Sequence, residues 1–562
     1  MNKLRTAIFV SIIVSVIAFP LHAAVPTTPF QILGHIQNFC LDNQFNSGTD
    51  TCPKDAEPRA ALLPFNAANL FIGAKIVVNG VTVTIPTNTV VVMPATYLTP
   101  WQIFMKAQGV SRANNESGLA LQDKVPPLAA FEVAVDGNIV CSPTCTYIAG
   151  LVHISQQGLN AGAGYIRKIN SIVNDPLNGE LCVGPDNTPL ATCIAPNARV
   201  RLNDPKINDP NDPAVNDGRY SSGYAPNPPS PPAQPPATVD PNSRFPDPRF
   251  TVDQDNPTVH AATGYPMCVP RSGNDLECPA KNRPADGGIP LKFFVMGPND
   301  LIRPAAGFPA DTINKCSPAC DPTKQAPFKE GDYIVYQGTL AQDSAGLYIS
   351  AHTIGADIGI YTEPGKDPAY VTLDESLIGT RGNITNPAPQ PRCGSEMECQ
   401  DLIKVEGFTT DPSRPVNIYA VDETPGSAKV RRIGPGIMKP APFGRYRLIT
   451  QKASGVLFDV NGQQMGATRE LLARVGNGTG FPIGTSLPLP SPTLFAHGLK
   501  AGQYQAPVGE YIFPEGWAPG ALQPQLNLQC LAFLVNGWSL GADVVPKLAP
   551  WPGDISALSC LN

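Results

Sequence analysis

Short stretches in which apolar and polar residues alternate recur along most of the chain. Lys75–Val78 and Val81–Ile85 flank an Asn79-Gly80 pair. Asn-Gly readily takes the two positive φ angles of a type I′ turn, and β-branched residues on both sides suit a pleated sheet. This pattern predicts a β-hairpin.

Other alternating stretches predict strands further along the chain. They include Phe131–Val135, Tyr147–Ile154, Ala198–Leu202, Asp332–Tyr336, Leu347–Ser350, Val416–Val421 and Arg445–Ile449. Asp136-Gly137 is expected to turn the chain after the first of them. Short strands separated by turn residues at intervals of about 8–12 residues are typical of small barrels and sandwiches. We therefore predict an all-β, loop-rich fold of tandem OB-like barrels or sandwiches. The period alone does not separate OB-like barrels from immunoglobulin-like sandwiches.

Very little helix is expected. Thr99–Lys106 predicts a short helix, because Pro100 stands at its first turn, where a missing N–H costs nothing. Arg469–Val475 also has the pattern of a helix.

Composition narrows the class of protein. Charged residues are 15% of the 562 residues, below the roughly 25% of an average soluble protein. The chain contains 63 prolines and 50 glycines, which excludes a helical bundle or a coiled coil, and its 42% hydrophobic content is enough for real cores. The net charge is -6, so we expect no nucleic-acid partner.

The N-terminus has the three parts of a secretory signal peptide. Lys3 and Arg5 are basic, Ala7–Phe19 is apolar, and Ala23 supplies a small residue at the cleavage position. We expect a secreted or extracellular protein, or a periplasmic one in a Gram-negative host, with no membrane span in the mature chain.

The distribution of strand patterns and prolines predicts seven segments. They are a signal peptide (1–23), β module 1 (25–127), β module 2 (128–202), a Pro/Asn/Asp-rich linker (203–247), β module 3 (248–400), β module 4 (401–452) and a C-terminal aromatic, Gly/Pro-rich β region (453–562). Polyproline at Pro228–Pro236 predicts an extended, semi-rigid spacer. The alternative is that the aspartates of the linker form a calcium site, although their spacing does not match an EF-hand.

The 14 cysteines fall into neighbouring couples, which predict local disulfides in an oxidising compartment. The predicted bonds join Cys40 to Cys52, Cys141 to Cys145, Cys182 to Cys193, Cys268 to Cys278, Cys316 to Cys320, Cys393 to Cys399, and Cys530 to Cys560. Metal or redox chemistry is the alternative for the repeated Cys-Ser-Pro-x-Cys motif. A zinc knuckle more often has two intervening residues and nearby histidines.

Four sequence strings resemble a set of secreted multi-module β proteins of bacteria and fungi. They are Ala262–Arg271, Gly331–Gly338, Tyr348–Ile354 and Gly502–Tyr504. The resemblance implies secretion and a multi-module β architecture. No activity is attached to the group, so the resemblance implies no chemistry.

Catalytic motifs are missing from the sequence. There is no Gly-x-Ser-x-Gly elbow, no His-Glu-x-x-His and no Walker loop. The histidines are scattered, and His352 is interpreted as a structural residue of a strand. Asp374 and Glu375 are expected to point to opposite faces of a strand. Asp253 and Asp255 would share a face if that segment is extended, but an Asx-turn is the preferred interpretation. We expect no catalytic residue, no metal and no cofactor.

The C-terminal aromatic residues have two interpretations. They are Tyr504, Tyr511, Trp517, Trp538 and Trp551. Exposed rings would stack on sugars, whereas buried rings would fill the core of a region short of aliphatic residues. We favour the core.

Three function classes remain after these exclusions. The first is a secreted non-enzymatic binding or structural protein made of disulfide-pinned β modules, whose partner is an extracellular polymer, a cell surface or a protein. The second is a secreted polysaccharide hydrolase that uses two carboxylates. The third and weakest is a metal-dependent extracellular oxidase.

Overall fold

The structure is a computed structural model. It describes residues 26–44, 52–53, 59–64, 66–94, 96–107, 109–156, 160–172, 175–203, 247, 249–250, 259–261, 266–267, 283, 285–295, 328–343, 345–361, 371–380, 403–424, 427–441, 444–450, 468–476, 486–488, 493–494, 500–513, 525–540 and 543–553. The predicted signal peptide and almost all of the predicted linker lie outside these residues.

The described residues form β-strands and a few short helices. The strands up to residue 202 are β1 (Thr27–Leu41), β2 (Ala74–Val78), β3 (Val81–Ile85), β4 (Val91–Val92), β5 (Tyr97–Leu98), β6 (Glu132–Cys141), β7 (Cys145–Ser155), β8 (Ala161–Ile172), β9 (Asp175–Gly184) and β10 (Ala198–Leu202). The strands from residue 259 to 379 are β11 (Val259–Ala261), β12 (Pro266–Met267), β13 (Ala285–Asp286), β14 (Ile289–Pro290), β15 (Phe293–Val295), β16 (Tyr333–Asp343), β17 (Gly346–Ala356), β18 (Gly359–Tyr361) and β19 (Glu375–Gly379).

The remaining strands follow residue 400. They are β20 (Ile403–Phe408), β21 (Val416–Thr424), β22 (Ser427–Met438), β23 (Arg445–Thr450), β24 (Glu470–Val475), β25 (Ser486–Pro488), β26 (Thr493–Leu494), β27 (Lys500–Ala501), β28 (Gln503–Pro507), β29 (Glu510–Ile512), β30 (Trp538–Leu540) and β31 (Asp543–Val545). The helices are α1 (Pro100–Met105), α2 (Gly109–Ala113) and α3 (Ala532–Asn536), with 3-10 turns at Asp42–Gln44 and Leu528–Cys530. The prediction of a mostly β chain with little helix is confirmed.

The first sheet closes into a barrel, which we call the first barrel. Its strands follow the order β3-β2-β1-β6-β7, and β7 returns to pair in parallel with β3. This is an OB-like arrangement of five strands, with α1 inserted before β6. The core of the first barrel contains Phe39, Trp101 and Phe104.

Local sequence signals determine two elements of the first barrel. The Asn79-Gly80 turn joins β2 to β3, with φ angles of 51° and 78°. The hairpin prediction is therefore confirmed. Thr99 caps α1: its side chain accepts from Gln102 N, and the Gln102 side chain accepts from Thr99 N. This reciprocal cap satisfies two N–H groups at the helix start and confirms the predicted helix.

A second barrel repeats the same plan. Its strands follow the order β10-β9-β8-β16-β17, and β17 pairs in parallel with β10. Strands β8, β9 and β10 precede the predicted linker, whereas β16 and β17 follow it. The second barrel is thus assembled from two parts of the chain that are far apart in sequence.

The third sheet has nine strands. Eight of them follow the order β28-β24-β21-β22-β23-β20-β19-β29, and β25 pairs with β22. Only Val508 and Gly509 separate β28 from β29, so the two ends of this order are adjacent in the chain. The sheet therefore curls back on itself like a barrel.

Residues 525–540 and 543–553, which we call the C-terminal segment, join the third sheet to the first barrel. Asn138 on β6 donates to the carbonyl oxygens of Leu526 and Pro552, at 3.1 and 2.8 Å, and accepts from Leu526 N at 2.9 Å. Trp538 and Leu528 are buried in the same core as residues of the third sheet. Hydrogen bonds from one buried amide and apolar packing thus hold this segment in place.

Two local predictions are wrong. Asp136-Gly137 does not turn the chain; β6 passes through it with a bulge, because both sides of the strand are paired. Arg469–Val475 is not a helix but contains β24, whose residues Leu471 and Leu472 are fully buried. Strand β24 pairs with β21 on one side and β28 on the other, and this tertiary pairing outweighs the local helical preference.

Strand pairing joins each predicted β segment to the next one: β1 pairs with β6, β8 with β16, β19 with β20, and β21 with β24. Strands β6 and β7, from residues assigned to β module 2, complete the barrel begun in β module 1. Strands β8 and β10 pair with β16 and β17, which were assigned to β module 3. The pairings join residues remote in sequence, which a local hydrophobic pattern does not reveal.

Candidate functional site

Three of the predicted cysteine couples form disulfides within the described residues. Cys40 bonds to Cys52, Cys141 to Cys145 and Cys182 to Cys193, with S–S distances of 2.01, 2.01 and 2.00 Å. The Cys141–Cys145 bond spans the turn between β6 and β7. The prediction of local disulfides in an all-β chain is therefore confirmed.

The other four predicted bonds involve cysteines outside the described residues. Cys530 is disulfide-bonded, and its predicted partner Cys560 lies outside them. Both members of the remaining three couples also lie outside them: Cys268 and Cys278, Cys316 and Cys320, and Cys393 and Cys399. The bonds of Cys268 to Cys278, Cys316 to Cys320, Cys393 to Cys399 and Cys530 to Cys560 therefore stay predictions.

The described part of the chain contains no group of three or more His, Cys, Asp or Glu side chains that could hold a metal ion. His352 lies in β17 and is 4% exposed; its Nδ1 is 3.0 Å from Thr353 Oγ1, and its Nε2 is buried without a partner. Burial lowers the pKa of His352 to about 4, so the ring is neutral at pH 7. This environment agrees with its interpretation as a structural residue.

The two adjacent carboxylates of the predicted strand region have different environments. Burial raises the pKa of Asp374 to about 6. Glu375 Oε1 accepts from Lys404 Nζ at 2.7 Å. Asp253 and Asp255 lie outside the described residues.

A buried charge network crosses the second barrel. Glu180 on β9 accepts from Arg199 and Arg201 on β10, at 2.9 and 2.8 Å. Both arginines also pair with Asp343 on β16, and the Arg201 guanidinium lies 4.1 Å from the centre of the Tyr348 ring. Each charge is paired, so this network, which we call the β10 clamp, ties the part of the second barrel before the linker to the part after it.

Asp136, at the bulge of β6, has an unusual environment for a carboxylate. Burial raises its pKa to about 6, a hydrogen bond from Gln31 opposes the rise, and the charge of Glu510 on β29 adds to it. Gln31 Nε2 donates to Asp136 Oδ1 at 2.8 Å. Bulges are frequent beside functional sites because they re-aim a side chain. Asp136 is thus a half-buried carboxylate that the charge of a second carboxylate, from the third sheet, influences.

A small cavity lies where the first barrel, the third sheet and the C-terminal segment meet. It offers about 10 Å³ to the centre of a water-sized particle, which is the space of roughly one water. We call it the Arg469 cavity. Its polar lining residues are Tyr97, His153, Arg469 and Tyr511.

Aromatic rings surround the Arg469 guanidinium. Its central carbon lies 4.2 Å from the centre of the Tyr97 ring, 4.3 Å from Trp538 and 5.0 Å from Phe533. Such contacts between a cation and ring faces are attractive, more so when they are desolvated. Arg469 thus joins the third sheet to the first barrel and to the C-terminal segment.

The other titratable groups of the cavity are neutral. Burial, followed by the charge of Arg469, lowers the pKa of His153 to about 4. Burial raises the pKa of Tyr97 and of Tyr511 above their ordinary values. The Tyr511 hydroxyl donates to Thr468 O at 2.6 Å. Arg469 is therefore the charged group of the cavity at pH 7.

The predicted core role of the C-terminal aromatics agrees with the structure. Tyr511 and Trp538 are buried, 8% and 4% exposed, and Tyr504 and Trp551 pack against the same core. Trp517 lies outside the described residues.

An aromatic pair with one exposed ring, Tyr333, and one half-buried ring, Tyr165, lies instead on the second barrel. Tyr333 on β16 pairs with Tyr165 on β8, and their ring centres are 5.2 Å apart at an interplanar angle of 73°. Tyr333 is 37% exposed, and Val335, two residues along the same face, is 49% exposed. We call these three residues the Tyr333 patch. A sequence signal for it was present, because Tyr333 and Val335 alternate with the buried Ile334 and Tyr336.

Comparisons with known proteins give no relatives: no family model, no curated protein and no solved structure matches the chain. Among the described residues, no helix is long and apolar enough to cross a bilayer. The function must therefore be argued from the residues alone.

Proposed function

We propose that the protein is a secreted, non-enzymatic binding protein whose disulfide-pinned OB-like barrels hold an extracellular polysaccharide. The Tyr333 patch is the observation that carries this proposal. The exposed Tyr333 ring, supported edge to face by the half-buried Tyr165 and flanked by the exposed Val335, offers apolar surface, and its hydroxyl offers a hydrogen bond at the edge of the ring. Pyranose rings present matching apolar faces and hydroxyl edges.

The state of the buried charges favours binding over catalysis. The carboxylates and arginines of the β10 clamp neutralise one another, so none of them is poised to transfer a proton. The Arg469 cavity has room for about one water, too little for a sugar ring. The three disulfides favour an oxidising compartment.

The test is a binding assay on immobilised polysaccharides with matched variants. Tyr333→Ala should weaken retention on the bound polysaccharide about tenfold, since stacking on one ring contributes about 1–2 kcal/mol. Leu347→Ala is the control, because Leu347 is 53% exposed on β17 of the same barrel but lies outside the patch. Equal retention of wild type and Tyr333→Ala would refute the patch as the binding surface. Binding only to a protein partner would refute the polysaccharide.

The second candidate function is a polysaccharide hydrolase, and Asp136 favours it. A carboxyl group with a pKa of about 6 beside a second carboxylate is the pair of groups that a glycosidase needs for its acid and its base or nucleophile. The hydrolase would replace the first proposal if the protein turns over a polysaccharide and Asp136→Asn abolishes this turnover. Tyr333→Ala should then lower turnover only by weakening substrate binding.

A further inference from the structure

Arg469 forms no ion pair with a carboxylate among the described residues, whereas four other buried arginines do. It is 8% exposed, its Nη2 donates to Val90 O at 3.2 Å, and its Nε is buried without a partner. The four arginines that pair with carboxylates are Arg59 with Asp123, Arg201 with Glu180, Arg249 with Asp247, and Arg283 with Asp332. Within the described part of the chain, Arg469 has no carboxylate at ion-pair distance.

The surrounding rings compensate the charge of Arg469 only in part. Each ring face attracts the cation but carries no net negative charge, so the guanidinium remains without a counter-ion. Glu470 is a negative group whose charge reaches Tyr97 and Tyr511. Its carboxylate accepts from the neutral amide of Gln505 at 2.7 Å, which leaves its charge in place, but it lies beyond ion-pair distance of Arg469. An anion in the cavity would therefore relieve an unfavourable local charge.

The size of the cavity selects the anion. Room for roughly one water excludes a sugar, a phosphate ester or a dicarboxylate, but a monatomic anion is only slightly larger than a water. The apolar lining residues, which include Val90, Leu151 and Val508, suit an ion that gives up its hydration shell at low cost. The neutral ring of His153 adds no second positive charge.

We propose that the Arg469 cavity binds one halide-sized monovalent anion, such as chloride, on the free Nε–H of Arg469. The anion would fix the junction at which the first barrel, the third sheet and the C-terminal segment meet. This site is independent of the polysaccharide surface proposed above, because the Tyr333 patch lies on the second barrel.

Chloride-35 NMR of the wild-type protein tests the site without a mutation. The site is supported if the protein broadens the chloride resonance, the excess line width saturates with chloride concentration, and bromide removes it by competition. The site is ruled out if the broadening is absent or does not saturate. Thermal unfolding supplies a second readout. At constant ionic strength, replacing gluconate by chloride should raise the melting temperature by about 1–3 °C for each tenfold increase in chloride above its dissociation constant.

Two variants assign the effect to one side chain. Arg469→Met removes the proposed donor and should abolish both the saturable broadening and the chloride-specific thermal shift. Arg474→Met, on the same strand β24, removes the same charge from a half-buried position outside the cavity and should keep both. Retention of saturable chloride binding by Arg469→Met would overturn the assignment. If that variant does not fold, equal melting temperatures of the wild type in chloride and gluconate overturn the proposal.

Discussion

The β10 clamp should determine the stability of the second barrel, and Arg201→Met tests this. Arg201 is 3% exposed and pairs with Glu180, which is 7% exposed, and with Asp343. Methionine retains much of the volume of the side chain but removes both ion pairs and the contact with the Tyr348 ring. The variant leaves a buried carboxylate with one arginine instead of two.

The expected loss follows from the burial of the network. Removing one partner of a buried ion pair costs about 3–5 kcal/mol. Arg199 still reaches both carboxylates, at 2.9 Å each, which moves the expectation to the lower end of that range. The lost contact with Tyr348 adds about 1 kcal/mol. We expect the free energy of unfolding to fall by about 3–4 kcal/mol.

The loss should depend on pH. Burial alone would raise the pKa of Asp343, but hydrogen bonds and charges of Arg199 and Arg201 hold it well below its usual range. A carboxyl group whose pKa is lowered by folding contributes stability above its unfolded pKa, about 3.9, and loses it as the pH falls through the folded pKa. The difference between wild type and Arg201→Met should therefore be full at pH 7 and shrink below about pH 4.

Urea titration followed by far-UV circular dichroism measures the change. The control is Lys168→Met, because Lys168 pairs with Glu330 at 3.3 Å with side chains 31% and 33% exposed, and such a solvent-accessible pair contributes about 0–1 kcal/mol. If Arg201→Met unfolds within about 0.5 kcal/mol of Lys168→Met, the clamp does not stabilise the barrel and our reasoning on buried charge is wrong.

Three further predictions concern other parts of the chain. Asp136→Asn should raise the free energy of unfolding at pH 8 by about 1–3 kcal/mol, because folding raises the pKa of Asp136 to about 6 and so penalises its ionised form. The gain should vanish below about pH 4, where the carboxyl group is protonated in both states. A gain that does not change with pH would contradict this prediction. The wild-type protein should lose stability as the pH falls from about 6.5 to 4, because folding lowers the pKa of His352 to about 4, and His352→Asn should make this loss smaller. The control is the same acid titration of His35→Asn, which replaces an exposed histidine. A protease site inserted at Pro228–Pro236 should yield two chains that co-elute in gel filtration after cleavage, because β10 pairs with β17 across it; chains that separate without denaturant would contradict the pairing.

Local chemistry made part of the fold predictable. The Asn79-Gly80 hairpin depends on two adjacent positive φ angles, and α1 depends on Thr99 and on Pro100 at the first turn. Both are determined by residues within a few positions of one another. The sequence predicted OB-like barrels or sandwiches as a fold class, but not the strand pairing that closes the first barrel. That pairing, of β3 with β7, joins residues that no local pattern connects.

Tertiary pairing explains the local errors. Asp136-Gly137 has the residues of a tight turn, yet strands β1 and β7 on either side keep β6 extended and absorb the extra residue as a bulge. Leu471 and Leu472 favour a helix in isolation, but pairing of their strand on both edges buries them in the third sheet.

The candidate sites were harder to predict than the strands. The Arg469 cavity takes Tyr97 from the first barrel and Phe533 from the C-terminal segment, which are far from Arg469 in sequence. The β10 clamp had a weak signal, since Arg199 and Arg201 alternate with the buried Val200 and so share a face. Their carboxylate partners, on other strands, had none.

The central claim is that the protein binds an extracellular polysaccharide without cleaving it. The most direct measurement incubates the purified protein with the polysaccharide that retains it and counts new reducing ends over time. Our account predicts no increase over a protein-free sample while Tyr333-dependent binding persists. A time-dependent increase that Asp136→Asn eliminates would contradict it.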